Sequence, residues 1–358
     1  MSTETNPLVS VIIPTFNSAK FISQTLESLL YQTMKNFEVV VVDDCSTDNS
    51  VEVVRSFSNR FNGRLRVFVL SKNTGVSGLP RNFGIKNARG KYIAFLDSDD
   101  LFTKTALEEF STLAEKFQAD AVHTNQFFVL WKGIPKSVDE PVFIDIKELT
   151  NPDNFQVNYA QIYRPDKPTF ETANIAERVQ KFLSNGYTGK ICTTFFRRDF
   201  LINNQVVFPN IRHYADDLVT FKTVCLAKIL MVPNINYIVR PRVESLSQKR
   251  LNVDSAIHSS LRMFIDSFKA FENIMDEINF FADHPDYRYT VLDWCVKSKL
   301  YYLQNIYARI HPAELMPLVE KEFSGDDAAF AAYLFNTVNV QQLQLARLNQ
   351  ELAKFHSR

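Results

Sequence analysis

Cysteine is scarce in this 358-residue chain: Cys45, Cys192, Cys225 and Cys295 lie far apart and form no CxxC pair. That excludes a disulfide framework or a cysteine zinc site and points to reduced thiols in a cytosolic protein. Net charge is missing as well, with 40 basic side chains against 40 acidic, so no global field recruits nucleic acid. No run approaches the roughly 18 apolar residues that span a bilayer. Residues 1–7 lack the basic and apolar segments of a signal peptide. A cytoplasmic location is expected, with docking at the inner face of the plasma membrane left open. Repeats and low-complexity tracts are absent. So are GxxxxGKS/T and GxGxxG, which removes the P-loop and the dinucleotide fingerprint.

What is present is apolar and aromatic: 46% of residues are hydrophobic and 31 are Phe. That suffices for one large domain or two ordinary ones. Residues 9–13 are a β-branched run stopped by Pro14, and 18–31 carry Phe21, Ile22, Leu26, Leu29 and Leu30 at helical spacing. Residues 37–42 are a second buried strand. Ser46 or Asp48 then caps a helix facing inward through Val51, Val54 and Phe57. Residues 65–70 and 92–96 are further strands. A helix opened by Thr103 or Thr105 follows, and 119–130 reads as one more strand. Strands alternating with helices predict a mainly parallel α/β sheet. Residues 133–168 lack periodicity and read as an insertion or loop region. Residues 176–183 read as a helix, 190–196 as a strand, 213–226 as a helix and 235–239 as a strand. From about residue 251 the pattern becomes helical, which predicts domains over 1–250 and 251–358. In the last helix Leu345, Leu348 and Leu352 form an apolar stripe suited to core docking, with self-association or membrane contact as alternatives.

The densest chemistry lies at the end of the fourth strand, where Tyr92–Leu96 runs into Asp97, Ser98, Asp99 and Asp100. Carboxylates at the end of a buried strand need a cation or hydrogen-bond donors, and ligands bind at the carboxyl ends of such strands. Alternation lets Asp97 and Asp99 point to one side and hold a hard divalent ion beside substrate phosphates. The plainer alternative is a polar turn, with Asp99 or Asp100 capping the next helix. Between the third and fourth strands, Gly75 and Gly78 permit close backbone approach to a ligand, and Arg81 offers a forked donor for phosphate or carboxylate. An ordinary loop leading into a helix at Pro80 explains that segment equally.

The order of these motifs carries more than any one of them. Pro14-Thr15-Phe16-Asn17 is followed by Asp43-Asp44-x-Ser46-x-Asp48, Asn73-x-Gly75, Pro80-Arg81-Asn82, Asp97-Ser98-Asp99-Asp100 and Asp216-Asp217. In this order the sequence resembles the family 2 glycosyltransferases of the GT-A fold, over residues 8–120 and more loosely 185–250. The group that glycosylates poly(ribitol phosphate) of bacterial cell walls is the nearest in kind. The resemblance implies a Rossmann-like sheet flanked by helices, followed here by the helical C-terminal domain for acceptor binding or oligomerisation. It implies a nucleotide-sugar site of Pro14, Thr15, Asn17, Asp44 (on the base), Asn73, Gly75, Arg81, Asp97 and Ser98. Arg242, Ser245 and Ser247, with Arg240, match a loop over the diphosphate. Asp99 and Asp97 would hold Mn2+ or Mg2+.

By the same resemblance Asp217 is the general base, with Asp216 standing where the family carries Glu; helix capping is the local alternative for this pair. His213 is a further candidate metal ligand, though a lone His at a helix start is more often structural. The implied activity is inverting, metal-dependent transfer from a UDP-sugar to a hydroxyl of a bacterial surface glycan, glycolipid or polyol-phosphate polymer. Two rivals remain: a nucleotidyltransferase making a nucleotide-sugar, and a non-catalytic nucleotide-sugar or glycan-binding module.

Overall fold

The computed structural model describes residues 6–130, 155–157, 163–211, 214–240, 253–307, 317 and short stretches between 324 and 334. By its internal contacts the chain divides into two compact units, Met1–Gln248 and Lys249–Arg358.

The first unit opens as alternating strands and helices. These are β1 (Val9–Thr15), α1 (Ile22–Leu30), β2 (Phe37–Asp43), α2 (Ser50–Ser56), β3 (Leu65–Val69), α3 (Gly78–Asn87) and β4 (Tyr92–Phe95). The four strands pair in parallel in the order β3-β2-β1-β4. Val9, Val11, Ile12, Ile13, Val39, Val40, Val41 and Val42 are all fully buried, as continuous β-branched runs covered on both faces should be. β1 runs two residues past the expected stop at Ile13. Even-numbered residues of β1 bond toward β4, since Ile12 O accepts from Leu96 N, while β4 pairing ends at Phe95 opposite Ile12. The N–H that Pro14 lacks therefore falls beyond the ladder, where its absence is tolerated.

β5 (Leu101–Phe102), α4 (Ala106–Phe117), β6 (Ala121–His123) and β7 (Phe128–Leu130) follow. The single strand expected over 119–130 is thus two strands in different sheets. Then come β8 (Phe155–Val157), β9 (Thr169–Phe170), α5 (Ile175–Leu183), a 3-10 turn at Ile191–Thr193, β10 (Thr194–Arg197), α6 (Arg198–Asn203), α7 (Ala215–Leu226), β11 (Ile229–Met231) and β12 (Tyr237–Val239). The strand expected from Lys190 starts only at Thr194. β10 runs antiparallel between β4 and β6 and fixes the eight-strand order β3-β2-β1-β4-β10-β6-β11-β9. β5, β12, β7 and β8 form a second sheet over a small core of Leu101, Leu130 and Ile238.

The second unit contains α8 (Val253–Asp276), α9 (Asn279–Asp283) and α10 (Pro285–Tyr307). Phe271 of α8 meets Trp294 of α10 edge to face at 5.9 Å, and Phe264, Ile265, Met275, Val291 and Cys295 are buried. Among the described residues no helix is long and apolar enough to cross a membrane. Leu345, Leu348 and Leu352 lie outside the described residues.

Candidate active site

The carboxyl ends of β1, β2 and β4 meet at one edge of the main sheet, and the loops leaving them are tied together. Asp44, just after β2, has its backbone N–H on Thr15 O at 2.7 Å. Its carboxylate is 4% exposed. It accepts from Thr74 N at 2.9 and 3.1 Å and from Thr74 Oγ1 at 3.0 Å, while Asn73 Nδ2 donates to Asp44 O at 2.9 Å. Gly75 follows with φ +74°, a turn conformation that side chains resist. A carboxylate has about four acceptor positions, so Asp44 retains room for one ligand donor. Asp43 turns back on its own loop, accepting from Ser46 N at 2.8 Å and Ser46 Oγ at 2.5 Å. Asn17 Oδ1 accepts from Thr47 N at 2.8 Å, so its side chain joins the first loop to the second. Pro14 and Thr15 are buried in the strand end.

The four residues after β4 divide their work in a way the sequence does not display. Ser98 is buried, its Oγ 2.7 Å from Ser18 Oγ and its carbonyl held by Thr25 Oγ1 at 2.9 Å. These bonds anchor the loop to α1 and to the turn before it. Asp100 neither caps a helix nor faces solvent. It is 4% exposed and accepts from Tyr237 Oη at 2.5 Å and Arg240 N at 2.9 Å. Burial, then Asp99 close by, pushes its carboxyl up to about 7.

Arg240 lies 2% exposed behind this loop. Its guanidinium donates to Asp99 O, Gln24 Oε1 at 2.9 Å, Phe21 O at 3.1 Å and Thr25 Oγ1 at 3.0 Å. It braces the acidic loop from within and does not reach for a diphosphate. Arg242, Ser245, Ser247 and His213 lie outside the described residues.

Asp97 and Asp99 are the partly exposed carboxylates of the cluster. Arg81, 3% exposed in α3, joins Asp97 to the start of α7. Its Nη2 is 2.7 Å from Asp97 Oδ1, its Nη1 is 2.9 Å from Asp216 Oδ1, and the guanidinium lies over the Phe208 ring at 5.2 Å. Arg81 is therefore a buried strut: of the two partners expected for its fork, phosphate or carboxylate, it meets carboxylates. Burial disfavours its charge, but Asp216 and Asp97 outweigh that and raise its pKa. Burial also works against the Asp97 anion, yet Arg81 and Lys190 hold its carboxyl below the ordinary value. At Asp216 burial wins over Arg81 and the carboxyl is raised. Phe208 is fixed to α3 in turn, by reciprocal bonds with the Asn82 amide at 2.7 and 2.9 Å.

Lys190 is the residue that motif reading missed. Its ammonium sits over Phe127 and Tyr237, 5.5 and 5.4 Å from the ring centroids. Its pKa is raised, because Asp100 and Asp97 outweigh its burial. The available signal was a single charge opening an otherwise apolar stretch, Lys190-Ile-Cys-Thr-Thr-Phe-Phe196. Cys192, buried beside Asp97, is held as a neutral thiol by burial first and Asp97 second.

Among the described residues no three acidic, His or Cys side chains converge on one point as a closed metal cage. The donor chemistry still fits a divalent ion. Mg2+ and Mn2+ sites use one or two carboxylates and take their remaining ligands from phosphate and water, and Asp97 and Asp99 supply such a pair. Arg81 and Lys190 lie among Asp97, Asp100 and Asp216, so these carboxylates share two cations.

Residues 10–186 match the model of Glycosyl transferase family 2. The poly(ribitol-phosphate) beta-N-acetylglucosaminyltransferase TarS of Staphylococcus aureus is 36% identical over 157 residues, covering 43% of this chain and 27% of that one. The poly(ribitol-phosphate) beta-glucosyltransferase of Bacillus spizizenii is 32% identical over 186 residues, 50% of this chain and 29% of that one. The matched stretch thus spans under a third of these relatives. The crystal structure of S. aureus TarS 1–349 in complex with UDP-GlcNAc superposes with a TM-score of 0.55 at 21% identity, over 94% of this chain and 91% of that one. At that identity the likeness shows the fold, which is GT-A.

Proposed function

We propose that this chain, in which residues 10–186 are a family 2 glycosyltransferase domain, moves a sugar from a UDP-sugar to a hydroxyl of a poly(ribitol phosphate)-like cell-surface polymer, with inversion. The names of the relatives support polymer and donor class. The geometry supports the mechanism through one observation above all: Arg81 ties the loop bearing Asp97 and Asp99 to the first turn of α7, which bears Asp216 and Asp217. Donor-side and acceptor-side carboxylates are thereby held at one edge of the sheet, where ligands bind in such folds.

In this reading Asp44, steadied by Thr74, accepts from a uracil ring N–H. Pro14, Thr15, Asn17, Asn73 and Gly75 shape the wall around the nucleoside. Asp97 and Asp99 would hold Mn2+ or Mg2+, which when bound supplies positive charge against the departing diphosphate. Asp217 Oδ takes the proton of the acceptor hydroxyl as that oxygen bonds to the anomeric carbon. The bond from that carbon to the diphosphate oxygen breaks, and its electron pair leaves with UDP. Asp216, Arg81 and Lys190 keep Asp97 and the base in place. Residues 251–358 are assigned to acceptor binding or self-association.

UDP release from UDP-N-acetylglucosamine and UDP-glucose onto poly(ribitol phosphate), with and without Mn2+, tests the assignment. Asp217→Asn should lower kcat by about 10²–10⁴, the usual worth of a positioned base, while UDP still binds. Asp99→Ala should abolish the response to Mn2+. Wild-type turnover in both variants would defeat the mechanism.

A further inference from the structure

Position 189 lies in the link between α5 and the 3-10 turn, and it holds glycine. A Cβ built there would stand 2.4 Å from Asp217 Oδ1 and 3.4 Å from its Cγ. The backbone does not ask for glycine, since Gly189 is not among the positive-φ residues. Space asks for it: no side chain larger than hydrogen leaves the Asp217 carboxylate where it is. The same strip supports the neighbouring acid, because the backbone N–H of Ile191 bonds to the Asp216 carboxylate. Between the two, Lys190 sits on its aromatic seat. The strip reaches this edge because it feeds β10, the reversed strand, whose first residue Thr194 pairs with the last residue of β6, His123.

We infer that Gly189 is a positioning residue of the transfer reaction: by presenting no side chain it lets the Asp217 carboxylate lie against the 189–191 backbone, and so sets where that carboxylate meets the acceptor hydroxyl. The inference rests on Asp217 acting as the base. A methyl group at 189 meets the far end of the Asp217 side chain and not a backbone atom. The fold therefore survives the substitution and the carboxylate swings. A displacement of about 1 Å at a reacting group suffices to lower a rate 10²-fold.

The test is a double-mutant cycle of Gly189→Ala and Asp217→Asn, assayed as UDP release from UDP-N-acetylglucosamine and UDP-glucose onto poly(ribitol phosphate), with UDP binding measured by calorimetry. Gly189→Ala should lower kcat on the order of 10²-fold and leave donor KM and UDP affinity within about twofold. In the Asp217→Asn background it should add less than about twofold, because residues acting as one unit are not additive. A crystal structure of Gly189→Ala, which needs no substrate, should show Asp217 in a changed rotamer. Unchanged kcat beside an impaired Asp217→Asn, losses that multiply in the double variant, or an unmoved carboxylate would each overturn the role of Gly189 alone. A fully active Asp217→Asn would remove the base itself, and Gly189's role with it.

Discussion

Arg81 is where single-residue geometry bears most directly on the site. One planar guanidinium serves two carboxylates at 2.7 and 2.9 Å, a task for a rigid fork that an ammonium cannot copy. Arg81→Lys should keep one contact and release the other, lowering kcat at least about 10-fold, the worth of ~1.4 kcal/mol in the transition state, while the fold persists. Arg81→Met leaves two carboxylates without their buried cation and should reduce stability by about 3–5 kcal/mol, read from urea unfolding at neutral pH. Asp97, Asp99 and Asp217 were legible because acids at strand and helix ends are conspicuous in sequence. The tie between Ser98 and Ser18, the inward fold of Arg240 and the seat of Lys190 were not. Each depends on a partner from a distant part of the chain: Ser18 for Ser98, Gln24 for Arg240, Tyr237 for Lys190. No local pattern encodes those meetings.

At the level of elements, the parallel strands β1 to β4 were readable from β-branched runs, while the direction of β10 was not. A buried apolar run looks alike whichever way it points. The division of residues 119–130 into β6 and β7 had a local sign in the polar His123-Thr-Asn-Gln126, but the sheet that each half joins is set by its partners. β6 and β10 also carry a titrating contact. His123 on β6 is 3% exposed, with Nδ1 2.7 Å from Thr194 Oγ1 of β10 and Nε2 2.9 Å from Asn125 Oδ1. Burial lowers its pKa from 6.5 to about 4. Between those values the unfolded chain binds a proton that the folded chain refuses, so this contribution to stability is intact above pH 6.5 and is lost as pH falls toward 4. A shift of that size corresponds to about 3 kcal/mol. Urea unfolding across that window should show the loss in wild type, and His123→Gln should flatten it.

For the molecule as a whole, every candidate donor-site residue falls within Met1–Gln248, one of the two compact units. A fragment ending at Gln248 should bind UDP within about threefold of the full chain, under 1 kcal/mol, by calorimetry; a far larger loss would mean that the second unit completes the donor site. The change to helical spacing near residue 251 stands close to the boundary between those units. What the second unit does was not legible, because an apolar helix face looks the same whether it meets a core, a partner or a substrate. The reversed strand has a wider consequence. His123, the last residue of β6, and Thr194, the first of β10, are paired neighbours on the carboxyl edge, and the chain between them gives β9 to the far edge of the same sheet. The described residues between them also give β7 and β8 to the second sheet, so this stretch starts and finishes on one edge while it serves two sheets. Because its two ends are neighbours, a change of length in one of its loops leaves β6 and β10 paired, whereas a change near its end displaces Gly189 and Lys190 from the carboxylates beside them.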